Sequence, residues 1–186
     1  MKVRLTEYSQ DWLQMFEDEV MFLKTVFGDL IIKFEHFGST SVKGMKAKPV
    51  IDMMCIVKNI EQVDLFNNQM DSLGYDVAGE WGIAGRRLFR KGGDNRTHHV
   101  HFYQYDNPEI DRHLILRDYL RAHPNEVAKY SCFKEELAQK YDTTSEYSPA
   151  KKKYVSKIEQ KALQWFSERQ RNILVKSCIY CSAATA

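Results

Sequence analysis

No stretch of this sequence approaches the roughly 18 consecutive apolar residues that a membrane-spanning helix needs, so no membrane partner is expected. The start of the chain lacks a signal-peptide pattern, because Lys2, Arg4, Glu7 and Asp11 scatter charge through it. Neither sign of charge dominates. The 27 basic and 25 acidic side chains leave a formal charge of +2, too little to mark nucleic acid as a general partner. Cysteine is scarce, with Cys55 and Cys132 placed like buried free thiols and Cys178 and Cys181 forming a C-x-x-C. That motif has no second Cys or His pair to complete a zinc site and no thioredoxin-like setting, so it reads as incidental. Internal repeats and low-complexity segments are absent too. These absences point to a protein of the reducing cytoplasm.

What is present suits one globular domain. The chain has 186 residues, 44% of them apolar and 28% charged, enough for a real core in residues 1–170 with residues 171–186 as a peripheral tail. Trp12, Leu13, Phe16, Val20, Leu23 and Phe27 recur at helical spacing and predict a helix closed by Gly28, with Trp12, Phe16 and Phe27 in the core. Val3 and Leu5 form a short edge segment, and strands follow over 30–37, 50–57 and 75–77. A helix is expected over 63–73, stopped by Gly74. Gly92-Gly93-Asp94-Asn95 joins 86–91 to 97–103 as a hairpin. After Pro108, helices are expected over 110–122, 126–141 and 151–169, with breaks at Pro124 and Pro149 and with Trp165 and Phe166 packed in the core. The class is α/β, with a small mixed sheet, flanking helices and a helical C-terminal part.

The chemistry concentrates around Gly38-Ser39-Thr40 and Asp52. Gly38 permits a close backbone approach, Ser39 and Thr40 add hydroxyls, and successive N–H groups of such a turn can cradle an anion. Lys43, Lys46 and Lys48 follow. Asp52 lies in the apolar strand Val50–Val57, where a carboxylate loses hydration unless it is paired or holds a cation. His99 and His101 share a strand face, so both imidazoles can serve one transition metal, together with Asp52 and Glu35. Arg117 and Arg121 stand one helical turn apart and match an anion with their planar forks. The ordinary alternatives are histidines bonded at a sheet edge and arginines that pin helices to the sheet.

The run Glu35 to Gly44 with Lys48-Pro49-Val50-Ile51-Asp52 resembles the GrpB family. His98-His99-Val100-His101, the block His113 to Pro124, then Tyr130, Lys134, Leu137, Ala138, Tyr147 and Lys151 to Tyr154 extend the resemblance over roughly residues 3–169. The resemblance implies a nucleotidyltransferase-like fold. In that superfamily a Gly-Ser turn and strand carboxylates hold Mg²⁺ and a nucleotide triphosphate. The pattern departs at Met54, where such enzymes carry a second acid and this chain offers a thioether.

The expectation is therefore a transferase that moves a nucleotidyl or phosphoryl group to a small molecule. Asp52, His101 and Arg117 would be its catalytic groups. Gly38, Ser39, Thr40, Lys48, Arg117 and Arg121 would hold the phosphate-bearing ligand, and Asp52, His99, His101 and Glu35 a divalent ion, Mg, Mn or Zn. A non-catalytic nucleotide- or phosphometabolite-binding domain is the alternative that Met54 favours. A metal-dependent hydrolase built on the histidines is another. No feature of the sequence speaks to oligomeric state.

Overall fold

A computed structural model describes residues 3–183, with side chains described for residues 3–171. The Cys178 and Cys181 pair lies outside those described side chains. The architecture is α+β: a five-stranded mixed sheet with helices on both faces and a helical C-terminal part. The strands are β1 (Ile31–Phe37), β2 (Ile51–Val57), β3 (Tyr75–Gly79), β4 (Arg86–Lys91) and β5 (His98–Gln104), in the spatial order β1-β2-β5-β4-β3. Neighbours are antiparallel except β2 and β5, which run parallel with Asp52 opposite His99 and Met54 opposite His101.

That register decides which side chains meet. Because alternate residues face opposite sides of a strand, Met53, Cys55, Val57, Val100 and Phe102 go to one face. There Leu23 and Phe27 of helix α1 (Asp11–Phe27) cover them in a fully apolar cluster. Asp52, Met54, His99, His101 and Tyr103 go to the other. On that side Met54 is wholly buried with Phe37, Tyr103 and Ile110, the last from the first turn of α3, whose span is Pro108–Ala122. Burial of each such side chain contributes about 1.5–3 kcal/mol. A second core joins α3 to α4 (Pro124–Lys140) and α5 (Thr144–Ala183) through Tyr119, Leu120, Val127, Tyr130, Ile158 and Ala162.

Several local expectations need correction. The segment expected as a helix over 63–73 is a 3-10 helix, Ile60–Phe66, followed by the short α2, Asn67–Ser72. Ile60, Val63 and Phe66 repeat every third residue, the period of a 3-10 turn, and all three pack on the α1-side core. Residues 3–5 form no strand; Thr6 makes one isolated antiparallel bridge to Ala47. Helix α5 begins at Thr144, ahead of Pro149, which is its sixth residue, and at its start the Thr143 hydroxyl bonds Glu146 Oε2 at 2.6 Å. Cys132 is exposed, since α4 buries the face that carries Tyr130, Ser131 and Lys134. Trp165 packs on the helical core, whereas Phe166 keeps 37% of its surface in solvent.

Candidate functional site

The chain leaves β1 through Gly38, whose φ of +71° a side chain rarely adopts. A Cβ built there would stand 2.6 Å from Asp52 Oδ2 and 3.0 Å from Asp52 Cβ, so only glycine lets the turn close over the aspartate. Ser39–Ser41 then forms a single 3-10 turn, tightened by the Ser41 hydroxyl donating to Gly38 O at 2.8 Å. Thr40 is buried with its hydroxyl already committed. It donates to Val50 O and accepts from His36 Nε2, tying β1 to the entry of β2. Ser39 keeps its hydroxyl toward the cavity and receives the Lys134 amine at 3.2 Å.

Asp52 is where the two strands' chemistry meets. Its Oδ1 lies 3.0 Å from His99 Nδ1 and 3.8 Å from His101 Nε2. Burial works against the ionised carboxylate, but the contacts with His101 and His99 outweigh it and hold the group well below the usual carboxylate range. Burial likewise keeps His101 below an ordinary imidazole, with Asp52 pulling the other way. One ligand atom from each of Asp52, His99 and His101 falls within 4.8 Å of the others, a group that could hold a metal ion. The donor set fits Zn, Mn or Fe better than Mg, which prefers oxygen alone. His101 Nε2 is buried without a hydrogen-bond partner among the described residues, as a vacant ligand atom is. One contact opposes it. Arg86 Nη1 lies 3.4 Å from His101 Nδ1, and a guanidinium can only donate, so the imidazole proton is steered to Nε2. A metal on Nε2 requires that long contact to be released.

Beside the triad is a cavity of about 210 Å³ walled by Ser39, Lys48, Asp52, His99, Lys134 and Lys151. Lys134, on α4, is 2% exposed and also donates to Lys46 O. Burial, and then the charge of Lys151, depress its pKa to about 6. Lys48 and Lys151 are lowered in the same direction by burial, with Asp52 the one acid that opposes this. Among the described residues none of the three lysines makes a salt bridge, so a bound anion would give Lys48 and Lys151 a countercharge and favour protonation of Lys134. Lys134 and Lys151 matter here more than the sequence alone indicated. The sequence signal for Lys151 was the run Lys151-Lys152-Lys153 at an expected helix start, where the dipole disfavours cations; Lys134, within α4, had no such signal.

Other expected residues stand apart from this cavity. Glu35 is not in the triad, because its carboxylate bonds Arg117 and Lys33, each at 2.6 Å. Arg117 is in turn occupied by Glu35, by Asp118 at 2.8 Å and by the His36 carbonyl, which pins α3 to β1. Arg121 donates twice to Ser41 O and lines a different cleft, of about 440 Å³, with Tyr8, His36 and Lys43. Thus Gly38, Ser39, Thr40, Lys48, Asp52, His99 and His101 are gathered in one place, and Glu35, Arg117 and Arg121 are not.

Comparison with known proteins follows the same residues. The family model described as GrpB protein matches residues 2–161. The UPF0157 protein YqkA of Bacillus subtilis is 47% identical over 165 residues, which are 88% of this chain and 48% of that one, so the chain spans about half the length of this curated relative. The crystal structure of conserved protein GrpB from Enterococcus faecalis superposes with a TM-score of 0.84 at 44% identity, covering 88% of this chain and 99% of that one. Cid1, solved in complex with its short product ApU, gives a TM-score of 0.49 at 13% identity over 72% of this chain and 42% of its own. Sequence pattern and backbone agree over most of the chain, which belongs to the GrpB family.

Proposed function

We propose that this protein is a metal-assisted transferase that binds a nucleotide or another phosphate-bearing small molecule and passes a nucleotidyl or phosphoryl group to a small acceptor. One observation carries the reading: Ser39, Asp52, His99 and three lysines that make no salt bridge among the described residues line a single small cavity. The phosphate would rest against the Ser39 hydroxyl and the amines of Lys48, Lys134 and Lys151, which stabilise negative charge as it builds on the transferred group. Asp52, His99 and His101 would hold a divalent ion, whose contribution is to polarise a phosphoryl oxygen. Asp52 would orient the His99 ring by accepting its Nδ1–H. Arg117 takes a positioning part only, since its donors already serve Glu35, Asp118 and the β1 backbone.

Met54 favours a second reading, a non-catalytic phosphometabolite-binding domain. It fills the place of a second acid and is fully buried among Phe37, Tyr103 and Ile110, so the site offers one carboxylate and not two. Metal content and thermal stabilisation separate the readings. The purified protein is analysed for Zn, Mn, Fe and Mg, then heated with each ion and a panel of nucleotides, beside the Asp52→Asn variant. Nucleotide stabilisation that requires a metal and is lost in Asp52→Asn supports the transferase. Nucleotide stabilisation indifferent to both metal and Asp52 supports the binding domain. A tightly held metal with no nucleotide response overturns both in favour of a metal-dependent hydrolase.

A further inference from the structure

A larger cleft, of about 650 Å³, opens beside the phosphate cavity and shares Lys48 and Val50 with it. Its charge is one-sided, with Arg4, Lys48 and Arg96 against the single acid Asp94. Arg96 is the informative residue. Its side chain is 14% exposed, and its Nη1 is buried with no hydrogen-bond partner among the described residues. The nearest carboxylate, Asp76, stands 3.9 Å from Nη2 and is already taken by Arg90. Burial and the charge of Arg90 disfavour the ionised guanidinium there, and only Asp76 and Asp94 offset them. A buried donor left without a partner is destabilising, the more so when it is charged. The protein keeps this arginine in place through a tight loop: Gly92 has φ +97°, and a Cβ there would stand 2.5 Å from Asn95 O and 2.9 Å from Thr97 N. Pro49 and Val50 supply an apolar wall for a carbon skeleton.

We propose that this cleft is the acceptor subsite and takes a small molecule whose carboxylate or phosphate oxyanion is held by Arg96 at one end. The inference rests on the transferase reading and adds the acceptor's chemical class. The position follows from Lys48, which faces both cavities and so stands between the phosphate of one ligand and the anionic group of the other. The cleft's size lies within the range of small-molecule sites, about 300–1,000 Å³. An arginine fork is the natural partner for either oxyanion.

The test is calorimetric titration of the full chain with inorganic pyrophosphate, succinate and glycerol 3-phosphate. The wild type is compared with Arg96→Gln and Lys134→Met, each checked for an intact melting transition. Succinate or glycerol 3-phosphate should bind the wild type and weaken at least about tenfold in Arg96→Gln, the loss expected for one charge-assisted contact. Whichever of the two responds identifies the oxyanion. Pyrophosphate should be unaffected by Arg96→Gln and weakened by Lys134→Met, which assigns it to the neighbouring cavity. Equal affinities in wild type and Arg96→Gln would overturn the proposal, as would binding of pyrophosphate alone. Arg96-dependent binding of a probe without any pyrophosphate binding would keep the cleft and remove the phosphate-cavity reading.

Discussion

Lys134→Met should make the protein more stable at neutral pH and weaken its binding of pyrophosphate. The side chain is 2% exposed, and its amine is depressed from 10.5 to about 6 by burial and by Lys151. A lysine whose folded pKa is lowered binds its proton more readily in the unfolded chain, so its burial costs stability increasingly as pH falls from 10.5 toward 6. At 1.36 kcal/mol per unit, the cost is about 5 kcal/mol at pH 7 and about 2 kcal/mol at pH 9. Methionine has a similar unbranched shape and removes that cost. It also deprives Ser39 Oγ and Lys46 O of their donor, a loss of roughly 2–3 kcal/mol at any pH. The variant should therefore gain about 2 kcal/mol at pH 7, or roughly 4–8 °C in melting temperature, and gain nothing at pH 9. Urea denaturation at the two pH values measures the difference. A stability difference that does not change with pH would refute the assignment of Lys134 as a buried, depressed amine.

Three further outcomes are expected. Gly38→Ala should cost roughly 2–4 kcal/mol by denaturant titration, because a Cβ at positive φ collides with Asp52, and it should abolish metal uptake by displacing that carboxylate. Arg117→Ala should lose roughly 2–3 kcal/mol by leaving Glu35 with Lys33 alone, while pyrophosphate affinity stays unchanged; weakened affinity would return Arg117 to the ligand site. Burial lowers His36 and His113 from 6.5 to about 4, so the unfolded chain protonates first and stability falls as pH drops below 6.5, by about 2 kcal/mol for each at pH 5. A stability that is flat between pH 7 and pH 5 would contradict this.

The sheet and its faces were legible in the sequence because strand alternation has a fixed period. Asp52 with Met54 on β2, and His99 with His101 on β5, face one way, and the positions of these four residues alone made a shared site conceivable. Their pairing was not legible, since nothing local indicates that β2 and β5 lie side by side and parallel. Glu35 illustrates the limit. It lies on the β1 strand and faces the same side, but Arg117 approaches from 82 residues away and takes its carboxylate. Of the lysine cup only Lys48 was legible: Lys134 and Lys151 come from two separate helices, and a lysine's burial depends on what packs over it. Val63 to Leu73 failed differently, because a three-residue apolar period over so short a span suits both a 3-10 and an α-helix.

The parallel pairing of β2 and β5 also bears on when the site forms. The connection between them includes α2 and the β3 and β4 strands, so Asp52 reaches His99, 47 residues away, only after that whole segment has closed. Contacts of such separation carry a loop-closure penalty and slow a chain's folding, whereas the adjacent β4 and β5 strands can pair locally. A refolding molecule would hold its hairpin before it held any ligand site. Acquisition of metal or anion affinity should thus coincide with the last major folding phase, and a chain stalled earlier would have no half-formed centre.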